Sequence, residues 1–229
     1  MRLTIAAAIL AASAFQAQSY DSSREVDVVL SLVADISQSM STGERELQRD
    51  GYAAAFRHRE VLDAIEGGAI GCIAVSLIYF AERQREAVGW SKVCDAPSAH
   101  AFAARIEAAS IDESAGQMTS IGHAMAEASR SMLASGYTGL RMVMDVSADG
   151  ISNTGPSPSI ARDAAVSAGI TINGLPIVVR SDYSEADLIK HFEDSIIGGV
   201  GYRMVVVDGM AALPDAIRRK LVLEIAEVR

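Results

Sequence analysis

The chain has 229 residues and a formal net charge of −9; half of its residues are apolar and 5% are aromatic. That length suits one domain with a core built from Ala, Val, Ile and Leu, and no run reaches the roughly 20 apolar residues of a membrane span. An acidic chain without a Lys/Arg cluster lacks the electrostatic footprint of a nucleic-acid or anionic-membrane binder.

In chain order, Arg2 precedes an uncharged stretch, 3–15, that is followed by Gln16-Ala17-Gln18-Ser19. A basic start, a short apolar run and small residues read as a secretory signal peptide over 1–17, against a first strand or buried helix. Ala12-Ser13-Ala14 fits the small-x-small cleavage rule better than Phe15-Gln16-Ala17, and no Cys lies nearby to carry a lipid anchor. Export would make the protein periplasmic or secreted, with a single domain over 24–229.

The apolar run 26–34 reads as a buried strand. Helical material follows at about 44–66, then a strand at 69–80, a turn around 82–85 and a strand at 86–91. Helices are expected at 98–109 and 120–135, a strand at 139–147, a helix at 159–168 and a strand at 170–179. The chain closes with a helix at 184–193, a strand at 201–207 and a helix at 210–227. Alternating strands and helices predict an α/β fold, a doubly wound, mostly parallel sheet with helices on both faces. The connection between 69–80 and 86–91 is too short for a crossover, so that pair forms an antiparallel hairpin and gives one antiparallel edge strand.

The chemistry-bearing segments lie where these elements end. Asp35-Ile36-Ser37-Gln38-Ser39 follows the first strand and offers a carboxylate and two hydroxyls at alternate positions. These are hard oxygen ligands, suited to Mg²⁺ or Mn²⁺, with Ca²⁺ also admissible. Asp-x-Ser-x-Ser alone is weak, because it arises by chance in roughly one chain in twenty of this size. Two further segments raise its value: Thr119 stands just before the helix at 120–135, and Asp149-Gly150 just after the strand at 139–147. Taken singly, Ser39, Ser41, Thr42, Thr119 and Ser120 read first as helix caps, and Asp149-Gly150 as a turn dipeptide, because capping and turns are commoner than metal ligation.

Taken jointly, these segments resemble the von Willebrand factor type A domain with its metal-ion-dependent adhesion site. That family's Asp-x-Ser-x-Ser, distant Thr and distant Asp fall on Asp35, Ser37, Ser39, Thr119 and Asp149. Leu47-Gln48-Arg49-Asp50-Gly51-Tyr52-Ala53-Ala54-Ala55, Asp145-Val146-Ser147-Ala148-Asp149-Gly150, Ala161-Arg162-Asp163-Ala164-Ala165, Thr171-Ile172-Asn173-Gly174-Leu175 and Ile197-Gly198-Gly199 further resemble a secreted bacterial group within it, the DUF1194 type. The resemblance runs from about Val26 to the C-terminus. It implies that Ser37, Ser39 and Thr119 bind the ion directly, and Asp35 and Asp149 directly or through water, leaving a position for a partner's carboxylate.

Asp145 is an acid inside an apolar strand; it either orients the site from behind or bonds a neighbouring backbone group. His58, His100, His123 and His191 share no metal-ligand spacing. Gly198-Gly199-Val200-Gly201 precedes a strand without a Gly-Lys-Ser/Thr sequence and reads as a turn. The favoured function is a non-enzymatic binding module that uses its metal to capture an acidic group on a protein partner. A metal-dependent hydrolase using Ser37 or Ser39, or an extracytoplasmic assembly factor, is the alternative. Against catalysis stands the absence of a Gly-x-Ser-x-Gly elbow or a placed His base. Cys72 and Cys94 are symmetric about Arg83 within the predicted turn, so they face each other across the hairpin. In an oxidising compartment they are expected to form a disulfide, with two buried thiols as the competing reading.

Overall fold

The computed structural model describes residues 22–111, 113–179 and 183–226, so the expected signal peptide lies outside the described residues. The long apolar runs become the centre of a six-stranded sheet. In chain order the strands are β1 (Glu25–Asp35), β2 (Ile73–Phe80), β3 (Gln84–Val93), β4 (Thr138–Ala148), β5 (Ile170–Val178) and β6 (Val207–Asp208). Their order across the sheet is β3-β2-β1-β4-β5-β6. All pairings are parallel except β2 with β3. β1 is central and reads as an almost continuous apolar run because helices cover both of its faces.

On one face Val28, Leu30, Leu32 and Ala34 pack under α1 (Thr42–Arg57), α2 (Arg59–Glu66), α3 (Ala96–Ala108) and α7 (Leu213–Ile225). On the other, Val26, Val29 and Val33 meet α4 (Ile121–Leu133), α5 (Pro158–Ser167) and the segment formed by α6 (Glu185–His191) with a π turn, Phe192–Ile196. Among the described residues no helix is long and apolar enough to cross a membrane.

Two local departures from the sequence reading have plain causes. The helical stretch at 44–66 is broken at His58, whose backbone is extended (ψ 137°) and whose Nδ1 accepts the Glu60 amide at 3.3 Å, starting α2. The strand expected at 201–207 is corrected to Val207–Asp208, with an isolated bridge at Met204. The Asn173 side chain captures the Arg203 amide at 2.7 Å, so this N–H is taken by a side chain before a regular strand ladder can form.

In the hairpin, Ile73 pairs with Val93 while Phe80 pairs with Gln84, and the register shifts between Val75 and Ile78. Such irregularities bend and twist the strand carrying the extra residue. Cys72 and Cys94 lie one residue beyond the Ile73–Val93 pair and are joined as a disulfide, with Cα atoms 4.1 Å apart.

Strand order reverses between β1 and β4, since the chain leaves β1 for β2 on one side and reaches β4 on the other. In open α/β sheets the crevice outside the carboxyl ends of such a pair is where ligands bind. Asp35 ends β1 and Asp149 follows β4, both at that crevice.

Candidate metal centre

The 35–41 segment leaves β1 under tight local control. Ile36 N donates to Phe80 O at 2.8 Å, and the Ser37 amide donates to Asp35 Oδ1 at 2.7 Å. Helix α1 is capped by Ser41 in a reciprocal capping box with Glu44, which frees Ser39 from a capping role. Thr119 and Ser120 are likewise spared. Ser120 occupies the N-cap position of α4 without a side-chain cap bond, and its hydroxyl meets His123 Nδ1 at 3.0 Å.

The freed hydroxyls converge. Thr119 Oγ1 donates to Ser37 Oγ at 3.0 Å, Ser37 Oγ and Ser39 Oγ are 2.9 Å apart, and Ser39 Oγ donates to Asp149 Oδ1 at 2.5 Å. Three segments distant in sequence thus form one line of oxygens. Backbone bonds lace them together: Gln38 N to Gln117 O at 3.0 Å, Asn153 N to Thr119 O at 2.9 Å and Ser120 N to Ala81 O at 3.0 Å. Asn153 adds a second tie, its Oδ1 accepting the Thr119 amide at 2.8 Å.

Two carboxylates sit in this cluster at almost no exposure. Burial, reinforced by the charge of Asp149, pushes Asp35 up to about 7. Burial also raises Asp149, against the opposing hydrogen bond from Ser39. Asp35 Oδ2 is buried without a partner, and a buried carboxylate oxygen lacking a donor or cation is costly. The site therefore has unspent capacity for a cation.

The donor set fits a hard divalent ion. Every group is an oxygen, and no cluster of three His, Cys, Asp or Glu suited to a metal occurs among the described residues. Hydroxyls and carboxylates held at 2.5–3.0 Å from one another match neighbouring ligands of an octahedral ion, which at about 2.1 Å from the metal lie about 3 Å apart. A cleft of about 590 Å³ opens above Ser39, Thr119 and Asp149, with Met118, Ile151 and Tyr183 on its rim.

Behind the site runs a buried polar chain that the sequence reading did not identify. Gln48 Nε2 donates to Asp35 O at 2.9 Å, Ser147 Oγ donates to Gln48 Oε1 at 2.9 Å, and Tyr52 OH donates to Ser147 Oγ at 3.3 Å. Gln48 and Tyr52 belong to one of the stretches that carry the family resemblance, which was the available signal. Asp145 takes a partner that neither reading foresaw. It pairs with Lys220, which also bonds Glu224, and all three are about 1% exposed. Asn173 Nδ2 completes the group by donating to Glu224 Oε1 at 2.9 Å. His191 and His123 stay outside the oxygen cluster; His191 Nε2 accepts the Ser152 amide at 3.2 Å.

Comparison with known proteins identifies a family and a fold. The family model described as "Protein of unknown function (DUF1194)" matches residues 25–229. No curated protein matches the sequence. Among solved structures, proximal thread matrix protein 1 from the mussel byssus, with zinc in its metal-ion-dependent adhesion site motif, is similar at a TM-score of 0.66 and 16% identity. The match covers 88% of this chain and 48% of the mussel chain, so the chain spans about half the length of that relative. A von Willebrand factor type A protein from Catenulispora acidiphila is similar at a TM-score of 0.58 and 14% identity, over 87% of this chain and 43% of the other. BatB from Bacteroides thetaiotaomicron gives 0.56 and 20%, over 86% and 98%. At these identities the likeness shows the von Willebrand factor A fold.

Proposed function

The chain belongs to the DUF1194 family, and on that footing we propose that it is a metal-dependent binding module acting outside the cytoplasm. The observation that carries the reading is the oxygen line Thr119–Ser37–Ser39–Asp149 beside the unpartnered, buried Asp35 Oδ2. Ser37, Ser39 and Thr119 would hold Mg²⁺ or Mn²⁺ through their hydroxyls, with Asp35 and Asp149 supplying the negative charge. A divalent ion held largely by neutral hydroxyls keeps an electrophilic position open to an anionic oxygen. The cleft above it admits an acidic side chain of a protein partner, and Met118, Ile151 and Tyr183 offer apolar contact around that position.

Among the described residues the Ser37 and Ser39 hydroxyls bond to each other, to Thr119 and to Asp149, with no histidine in the set. That arrangement supports ligand binding over activation of a serine nucleophile. The mussel relative with zinc in the corresponding motif supports metal capture at such a site. Export rests on the leader read at 1–17 and on the Cys72–Cys94 disulfide, a bond characteristic of oxidising compartments.

The test is calorimetric titration of Mg²⁺ into the wild type, Asp35→Ala and Asp149→Ala, with circular dichroism to verify folding. Both variants should bind at least about tenfold more weakly while retaining native spectra. Wild-type affinity in both would remove the assignment. Partners captured with Mg²⁺ should be released by EDTA, and capture that is undiminished by chelation would refute the role of the ion.

A further inference from the structure

At the opposite end of the sheet a second cleft, of about 400 Å³, opens between the starts of β4 and β5, the 200–203 loop and α7. Its volume falls within the range of small-molecule sites. Arg141 and Arg203 stand on its wall, Val143, Val200 and Leu223 supply apolar surface, and Glu224 forms its deeply buried floor. The glycine-rich turn holds Val200 at the mouth, 94% exposed.

The polar groups here are unequally satisfied. Asn173 is committed on both sides, to Glu224 Oε1 and to the Arg203 amide. Thr171 Oγ1 donates to Val200 O at 3.1 Å, and Arg141 donates to Ile225 O at 3.0 Å. Lys220 takes Glu224 Oε1 as well. Two groups remain unserved: the Arg203 guanidinium has no hydrogen bond or ion pair among the described residues, and Glu224 Oε2 is buried with no partner. Their needs are opposite. The guanidinium seeks an anion, preferably a planar carboxylate, and the carboxylate oxygen seeks a donor or cation.

We propose that this cleft binds a free α-amino acid with a branched apolar side chain. The ligand carboxylate lies on Arg203 and Arg141, its ammonium turns toward Glu224 Oε2, and its side chain rests on Val143, Val200 and Leu223. One zwitterion meets both needs without changing the charge of the pocket, whereas a simple anion or a simple amine meets one. The position is remote from the candidate metal centre: from Arg141 to Asp149 the backbone advances roughly 26 Å at strand rise. Binding here is therefore independent of the divalent ion.

The probe is L-leucine, titrated calorimetrically into the full chain in EDTA so that the metal centre contributes no heat. Two analogues divide its chemistry: 4-methylpentanoate lacks the ammonium, and 3-methylbutylamine lacks the carboxylate. Leucine should bind saturably at millimolar concentration or below, with each analogue at least about tenfold weaker. Arg203→Ala should weaken leucine by a similar factor at an unchanged thermal midpoint, because that guanidinium is no structural partner. Absence of saturable leucine binding overturns the proposal, as does Arg203→Ala binding like wild type. Equal affinity for 4-methylpentanoate overturns the assignment of Glu224. None of these results depends on whether Mg²⁺ binds at Asp35 and Asp149.

Discussion

Lys220→Met tests how much of the fold depends on one buried ammonium. Lys220 is 1% exposed and stands between Asp145 on β4 and Glu224 one helical turn along α7. Methionine keeps most of the volume and removes the charge, leaving two buried carboxylates to face each other. Breaking a buried ion pair from one side costs about 3–5 kcal/mol, because the remaining charge is uncompensated. At about 2–4 °C per kcal/mol for a domain of this size, the thermal midpoint should fall by roughly 6–20 °C. The pH dependence gives the argument a sign. Burial, then the charge of Asp145, pushes Glu224 from its ordinary 4.5 up to about 7. The folded state therefore keeps a proton that the unfolded chain has released, and stability from this group is lost as pH rises through about 7. Without Lys220 both acids move higher, so the variant gains more than wild type on acidification and its deficit narrows at pH 5. Urea titrations followed by circular dichroism at pH 7.5 and 5 measure both effects. Equal midpoints at pH 7.5, or a deficit that widens at pH 5, would show that the cluster does not carry this load.

Gly122→Ala should weaken Mg²⁺ binding, because a Cβ at that position would lie 2.2 Å from Pro156 O in the loop that follows Asp149. The backbone must shift to make room, at about 1–3 kcal/mol, and native affinity with native stability would contradict the expected displacement. Unreduced protein should carry no alkylatable thiol by mass spectrometry. Replacing Cys72 and Cys94 by serine should cost about 3 kcal/mol, the chain-entropy value for a sequence separation of 22; two free thiols per molecule would refute the bond.

The parts of the fold that were legible in the sequence are those set by local pattern. Val26–Ala34 and the run ending at Phe80 are strands because apolar residues, many of them β-branched, dominate there, and the short link after Phe80 leaves room for a hairpin alone. The order of Asp35, Ser37, Ser39, Thr119 and Asp149 was legible only as a family pattern, since each residue by itself is an ordinary cap or turn residue. The structure separates these roles physically: Ser41 caps α1, while Ser39 turns to Asp149. What escaped the reading depends on distant partners. Lys220 lies 75 positions from Asp145; it falls on the same helical stripe as Leu213, Ala216, Ile217 and Leu221, but a lysine in that register does not name the distant acid it meets. Residues 204–207 form an apolar, mostly β-branched run like that of a strand, yet a single side chain, Asn173, claims the Arg203 amide just before it.

The two margins of the sheet have a consequence for behaviour at high concentration. A long, flat margin would offer unpaired N–H and C=O groups to another molecule and seed strand-by-strand aggregation. Here β3 is bent by its irregular register, carries Arg85, Glu86 and Lys92, and is tied down beside Cys94. The opposite margin is the two-residue β6, supplemented by single bridges at Gly198 and Met204. One margin is irregular and charged and the other is too short, so the folded protein should remain colloidally stable when concentrated or stored, and fibrils should form only after the sheet itself has opened.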